Sequence, residues 1–174
     1  YESLLQKSGL RAGHEYHTQQ SFRSADGKLL RPDVVIHLPE EKDVVIDSKV
    51  SLVAYERYQS DAEDKSVYLK QHIQSIEQHI KGLSGKNYDD LVQANRLDFV
   101  LLFIPIEPAF LLAMEHKPDM FVDAFDRGIL LVSPSTLLIT LRIIKSMWRF
   151  EAQNNNAIVI ADKAAKLYHK FVNF

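Results

Sequence analysis

The chain has 174 residues and a formal net charge of −2, from 21 Lys and Arg against 23 Asp and Glu, so bulk positive charge does not hold it on nucleic acid and any phosphate site must be local. Its 46% hydrophobic and 25% charged residues exclude a disordered or fibrous chain. The absence of cysteine excludes disulfides, thiolate zinc sites and a cysteine nucleophile. The length is one domain's worth at ~100–200 residues. The sequence begins at Tyr1 without a methionine and stops at Phe174 in running helical periodicity. Residues 1–174 are therefore expected to be a single domain cut at both ends from a longer protein.

Taken in order, Tyr1 to Ser8 reads as the end of a helix stopped by Gly9. Tyr16 to Phe22 alternates as a strand, with Asp26-Gly27 as the turn after it. Pro32 to Leu38 and Asp43 to Val50 are β-branched runs joined by Pro39 to Lys42, which completes a three-stranded meander. Ser60 with Glu63 reads as a capping box for a long helix whose apolar seam is Leu69, Ile73, Ile76, Ile80 and Leu83. Asp98 to Ile104 and Gly128 to Val132 read as buried strands separated by helices. Ser133 to Gln153 and Asn156 to Phe171 are expected to close the chain as a helical hairpin turning at Asn154 to Asn156. No apolar run approaches the ~18 residues of a membrane span.

Chemistry concentrates in Arg31-Pro32-Asp33 and Asp47-Ser48-Lys49. Side chains two apart on a strand share a face, so Asp47 and Lys49 point the same way. A register pairing His37 with Asp43 sets Asp33 opposite Asp47, with Cβ atoms ~4.5–5.5 Å apart. Two carboxylates that close repel unless a cation lies between them, and a hard divalent ion such as Mg2+ or Mn2+ is the ordinary solution. The alternative is a solvated strand end or a plain cross-strand ion pair. Spacing alone does not choose between them.

The order Pro32-Asp33, then Asp47-Ser48-Lys49, resembles the P-D and D-x-K motif of the restriction-endonuclease-like nuclease superfamily, whose α/β core is helix, three-stranded meander, helix, strand. Four longer blocks, Arg31 to Pro39, Val45 to Leu52, Phe99 to Phe110 and Leu131 to Leu138, resemble the RmuC family of bacterial DNA recombination proteins. That resemblance covers nearly the whole chain. It implies a metal-dependent DNA nuclease domain that limits DNA inversions and rearrangements, here with an added C-terminal helical hairpin. It also implies a cytoplasm-facing domain below an upstream membrane segment and coiled coil. Asp33 and Asp47 would be metal ligands, the Ser48 carbonyl a further one, and Lys49 the catalytic lysine. Superfamily members often draw another carboxylate from the first helix, and Glu2 is the acid available there. The rival reading is a non-catalytic nuclease-like module that binds DNA or a protein.

Other residues sort around this motif. Tyr68, His72, Ser75 and His79 form a second stripe on the long helix, making His72, Ser75 and His79 candidate phosphate contacts, with a solvated face as the alternative. The spacing of the two histidines does not suit helical zinc ligation. Gly82 to Lys86 has a superficial likeness to a phosphate loop but follows a helix, and reads as a helix terminator. Arg142, Lys145, Arg149 and Gln153 share a face suited either to a DNA backbone or to solvent. Glu107 opens the helix after the buried strand, as a functional group or a helix-dipole partner. Trp148 reads as packing rather than a base-stacking platform. The surplus of apolar positions on the C-terminal helices, among them Leu138, Ile144, Trp148, Ile160, Leu167 and Phe171, suggests a homo-oligomer.

Overall fold

The computed structural model describes residues 1–18, 22–23, 29–30, 32–60, 64–84 and 99–172. Helix α1 (Glu2–Ser8) stops where Gly9 takes φ 82°, the left-handed conformation that glycine adopts without steric cost. Strands β1 (Tyr16–Thr18), β4 (Val34–Leu38), β5 (Lys42–Asp47), β6 (Val100–Phe103) and β7 (Ile129–Val132) form one sheet in the order β1-β4-β5-β6-β7. The meander β1/β4/β5 is antiparallel, and β5/β6/β7 are parallel. Between them β2 (Phe22–Arg23) and β3 (Leu29–Leu30) pair as a small separate ladder; the expected turn at Asp26-Gly27 lies outside the described residues, as do Asp98 and Glu63.

Alternation along β4 and β5 divides the core into two layers. Val34, Ile36, Val44 and Ile46 face α1 and the front half of α6 (Pro134–Val172), through Leu5, Leu137, Leu141 and Ile144. Val35 and Val45 face the layer built by α2 (Val53–Gln59), α3 (Lys65–Ser84), α4 (Glu107–His116) and α5 (Asp119–Asp126). Ile36, Ile46, Leu101 and Leu102 are less than 2% exposed, each a gain of roughly 1.5–3 kcal/mol over leaving it in water. The seam foreseen on the long helix holds: Ile76, Ile80 and Leu83 are buried, and Leu69 and Ile73 half-buried. Among the described residues no helix is long and apolar enough to cross a membrane.

Three expectations are corrected. The C-terminal hairpin is instead one 39-residue helix, α6, that runs straight through Asn154 to Asn156. Asparagine is only ~0.7 kcal/mol less favourable than alanine in a helix, and the stretch has neither glycine nor proline to turn the chain. Ser60 does not open the long helix: it ends α2, its hydroxyl donating to the Arg57 carbonyl at 2.7 Å, and α3 starts at Lys65, while Glu63, the other half of the expected capping box, is outside the described residues. The third strand of the meander stops at Asp47 rather than Val50, because the next two amides turn from the ladder to nearby carboxylates.

Candidate active site

Those two amides create the site. β4 and β5 pair from Val34 with Ile46 to Leu38 with Lys42, including His37 with Asp43 as foreseen. One further step sets Asp33 across from Asp47. Asp33 Oδ2 accepts the Ser48 amide at 2.8 Å and the Ser48 hydroxyl at 2.9 Å. The Lys49 amide donates to Asp47 Oδ1 at 3.3 Å, while the Lys49 ammonium lies 3.9 Å from Asp33 Oδ1. Lys49 thus touches both carboxylates, although it has left the strand that was expected to carry it.

The two acids differ in cover. Asp47 is fully buried and Asp33 keeps 19% of its side-chain exposure. Burial alone would push the Asp47 carboxyl up. The hydrogen bond from His79 Nε2 at 2.9 Å, the Lys49 amide, and the charges of His79 and Lys49 more than offset burial and hold it below the usual aspartate range. Near Asp33, the Tyr1 hydroxyl is pushed up by burial, then by the Asp33 charge, then by that of Glu2. Glu2 itself is exposed at the start of α1. α3 is tied to the segment after Lys49 by the Ser75 hydroxyl, which donates to the Ser51 carbonyl at 3.2 Å.

The RmuC family model matches residues 1–174. The chain belongs to the RmuC family. It is 51% identical over 175 residues to the DNA recombination protein RmuC homolog of Pseudomonas aeruginosa, covering 99% of this chain and 39% of that protein. The Vibrio cholerae homolog is 51% identical over 96% of this chain and 33% of its own length. DNA recombination protein RmuC of Escherichia coli K12 is 48% identical, over 96% of this chain and 36% of that protein. The chain therefore spans about a third of the length of these relatives. No solved structure matches.

Elsewhere in this RmuC-family chain the foreseen residues scatter. His72 does not join Ser75 and His79 at the surface: it is fully buried, its Nε2 bonded to the Ala109 carbonyl at 2.9 Å and its ring against Tyr55. Helix α2, which periodicity missed, covers that part of α3. Arg142 and Arg149 are exposed on α6, across the sheet from the layer toward which Asp47 points. Lys145, between them, reaches back to Glu15 at 3.1 Å. Glu107 Oε2 accepts the Ser135 amide at 3.0 Å, which holds its carboxyl low; Ser133 and Thr136 exchange side-chain bonds with each other's amides, so α6 starts from a Ser/Thr capping box with Pro134 in its first turn. Gly85 and Lys86 lie outside the described residues, and α3 ends at Ser84.

Two polar groups went unforeseen. Glu15 is 1% exposed and gathers the Arg11 amide at 2.8 Å, the Arg11 guanidinium at 3.0 Å and the Lys145 ammonium. Burial would raise its carboxyl, but these donors together hold it low. At the far end of β4 and β5, His37 Nδ1 donates to Asp43 Oδ1 at 2.6 Å and its Nε2 meets His17 Nδ1 at 2.8 Å. An alternation of types along β1 and β4, with His17 and His37 on one face, was the available signal.

Proposed function

We propose that this chain is a metal-dependent DNA phosphodiesterase domain with a restriction-endonuclease-like core, serving DNA recombination in an RmuC-type protein. One observation carries the reading: Lys49 contacts both Asp33 and Asp47 at the end of the paired strands. The donor set fits a hard divalent ion such as Mg2+ or Mn2+, since Asp33, Asp47 and the Ser48 carbonyl offer oxygen alone. Among the described residues no three His, Asp or Glu gather around one point, so water would complete the shell, as magnesium prefers. When bound, the ion would polarise the phosphate and acidify an attacking water.

The chain's own groups supply the rest. The Lys49 ammonium, on a side chain 53% exposed, meets charge that develops on a phosphoryl oxygen. Ser48 orients Asp33 through two hydrogen bonds to one oxygen, which leaves the other toward Lys49. His79 holds Asp47 ionised and fixed. Half-buried Ser75 lies along the same face of α3, four residues before His79.

A second reading, a nuclease-like DNA-binding or protein-interaction scaffold, is favoured by the full burial of Asp47 behind His79. The two separate in one assay. Single strands, duplexes, duplex ends and branched DNA are offered with magnesium and with manganese, and metal binding is followed by calorimetry. The enzyme reading expects cleavage of at least one form, abolished by Asp33→Ala together with metal binding. A chain that binds DNA, takes up neither ion and cleaves none of the four is the scaffold.

A further inference from the structure

We infer that the exposed stripe of α6 pairs antiparallel with the same stripe of a second copy of this chain. The front half of α6 already has a core face in Leu137, Leu141 and Ile144. A second apolar stripe points elsewhere: Ile139, Ile143, Met147 and Phe150 are 59%, 58%, 42% and 64% exposed. The spacing then continues through Asn154, Ala157, Ala161 and Ala164, all exposed. From Ile143 onward the steps alternate four and three, the repeat by which one helix meshes with another. From Ile139 to Ala164 the stripe is ~38 Å long at ~1.5 Å per residue.

Size distribution selects both the occupant and its direction. Large side chains fill the half of the stripe that lies on the domain, and alanines fill the half beyond it. The helix leaves the sheet near Trp148, whose indole donates to the His37 carbonyl at 2.8 Å, and every described side chain from Ala152 to Lys166 is exposed. A parallel pair would set Phe150 on Phe150 and leave alanine facing alanine, an overfilled layer followed by hollow ones. Reversing one helix about Asn154 sets Ile143, Met147 and Phe150 against Ala164, Ala161 and Ala157 of the other copy. Large then meets small in each of these three layers, and Ile139 lies beyond the last of them. Asn154 falls at the two-fold axis, where two amides satisfy each other. Ile158 and Ile160, 66% and 67% exposed, flank the alanines and widen the contact. The alanine side of one copy's overhang therefore matches in shape what another copy leaves uncovered from Ile143 to Phe150. A single helix face about 10 Å wide and this long belongs to the small class of interfaces, so the pair should form and dissociate with concentration in the micromolar range.

The chain has no cysteine, so introduced thiols report register without background. Phe150→Cys and Ala157→Cys chains, distinguished by a mass tag, are mixed at ~100 µM, above the expected dissociation constant, and mildly oxidised. Both sites are exposed, and circular dichroism checks that helix content is kept. The expected result is a mixed disulfide at least ~10-fold more abundant than either like-with-like product, with sedimentation showing a monomer–dimer equilibrium that Phe150→Glu abolishes. Monomer alone at that concentration overturns the inference, and so does Ala157→Cys linking to itself as readily as to Phe150→Cys. The same pair in the full-length protein tests the rival occupant: loss of the mixed disulfide there means that another segment of the same chain covers the stripe, which also overturns it.

Discussion

Strands β4 and β5 carry acids at both ends of one face, and the two ends are completed in opposite ways. At the far end Asp43 is answered by its own cross-strand partner, His37, which in turn meets His17 on the neighbouring strand. His37 bonds to both neighbours, to Asp43 through one ring nitrogen and to His17 through the other, so side chains of the three strands tie this end together. At the near end two carboxylates face each other, and their partners come from elsewhere: His79 from α3, Lys49 from the turn after the strand. An ion pair whose lysine is half-exposed contributes only ~0–1 kcal/mol. A pair of facing carboxylates held at such modest gain is what marks the near end as the candidate site.

The largest effect should fall at the near end alone. If Lys49 stabilises developing phosphoryl charge, Lys49→Ala lowers kcat by ~100-fold or more and leaves DNA affinity nearly intact, since the interaction strengthens only in the transition state. Asp43→Asn should leave cleavage within ~2-fold, as expected for a change confined to structure. Steady-state cleavage by both variants, with binding measured separately in chelator, makes the comparison. Equal losses from both would erase the distinction between the ends, and an unimpaired Lys49→Ala would remove catalysis from the near one.

Stability sharpens the contrast next. Asp47 is held below its ordinary value in the folded chain, so its contribution is fully present above the unfolded value near ~3.9 and is lost as pH falls through the lower folded one. Asp47→Asn keeps shape but gives up charge-assisted bonds, at ~1.5–3 kcal/mol. Thermal unfolding should show that deficit at pH 7 and a shrinking one toward pH 3. A deficit that does not narrow on acidification would mean that packing, rather than charge, accounts for it. Glu15 is held low for the same kind of reason, and Glu15→Gln should lose roughly 2–3 kcal/mol at pH 7, less than a wholly buried pair because Arg11 and Lys145 are partly solvated.

Much of this geometry was legible in the residues. Alternation of Val34, Val35 and Ile36 against Val44, Val45 and Ile46 specifies which face each buries, and pairing His37 with Asp43 follows from the short connector, so the opposition of Asp33 to Asp47 could be written down from spacing. What escaped were interactions that periodicity does not encode. α2 is too short to display a period, and its cover over His72 could not be anticipated. The Asn154 to Asn156 stretch reads as a break by composition, yet nothing in it forbids helix. Glu15 and Lys145 are 130 residues apart; no local pattern announces a bond of that range. Ser48, in contrast, was named for its carbonyl, while its amide and hydroxyl do the visible binding.

The smallest effect concerns how far DNA extends from the near end. The parallel register sets Asp47 beside Leu102 and Leu102 beside Leu131, so α6 begins at the same edge of the sheet as Asp47 and runs away from it. Arg142 lies ~12 Å along α6 from Pro134, and Arg149 ~10 Å beyond that. Both are exposed, on the helix that packs against the opposite face of the sheet. A strand that reaches Asp33 and Lys49 and bends over the edge meets Arg142 first. Removing a cation that neutralises one phosphate should flatten the slope of log affinity against log salt by ~0.9 for duplex and ~0.7 for single strands, without regard to base sequence. Arg142→Gln should show about that change, and Arg149→Gln less than half of it. Equal flattening by both would mean that DNA tracks along α6 toward the His37 end, and no flattening by either would confine the interface to the near end of β4 and β5.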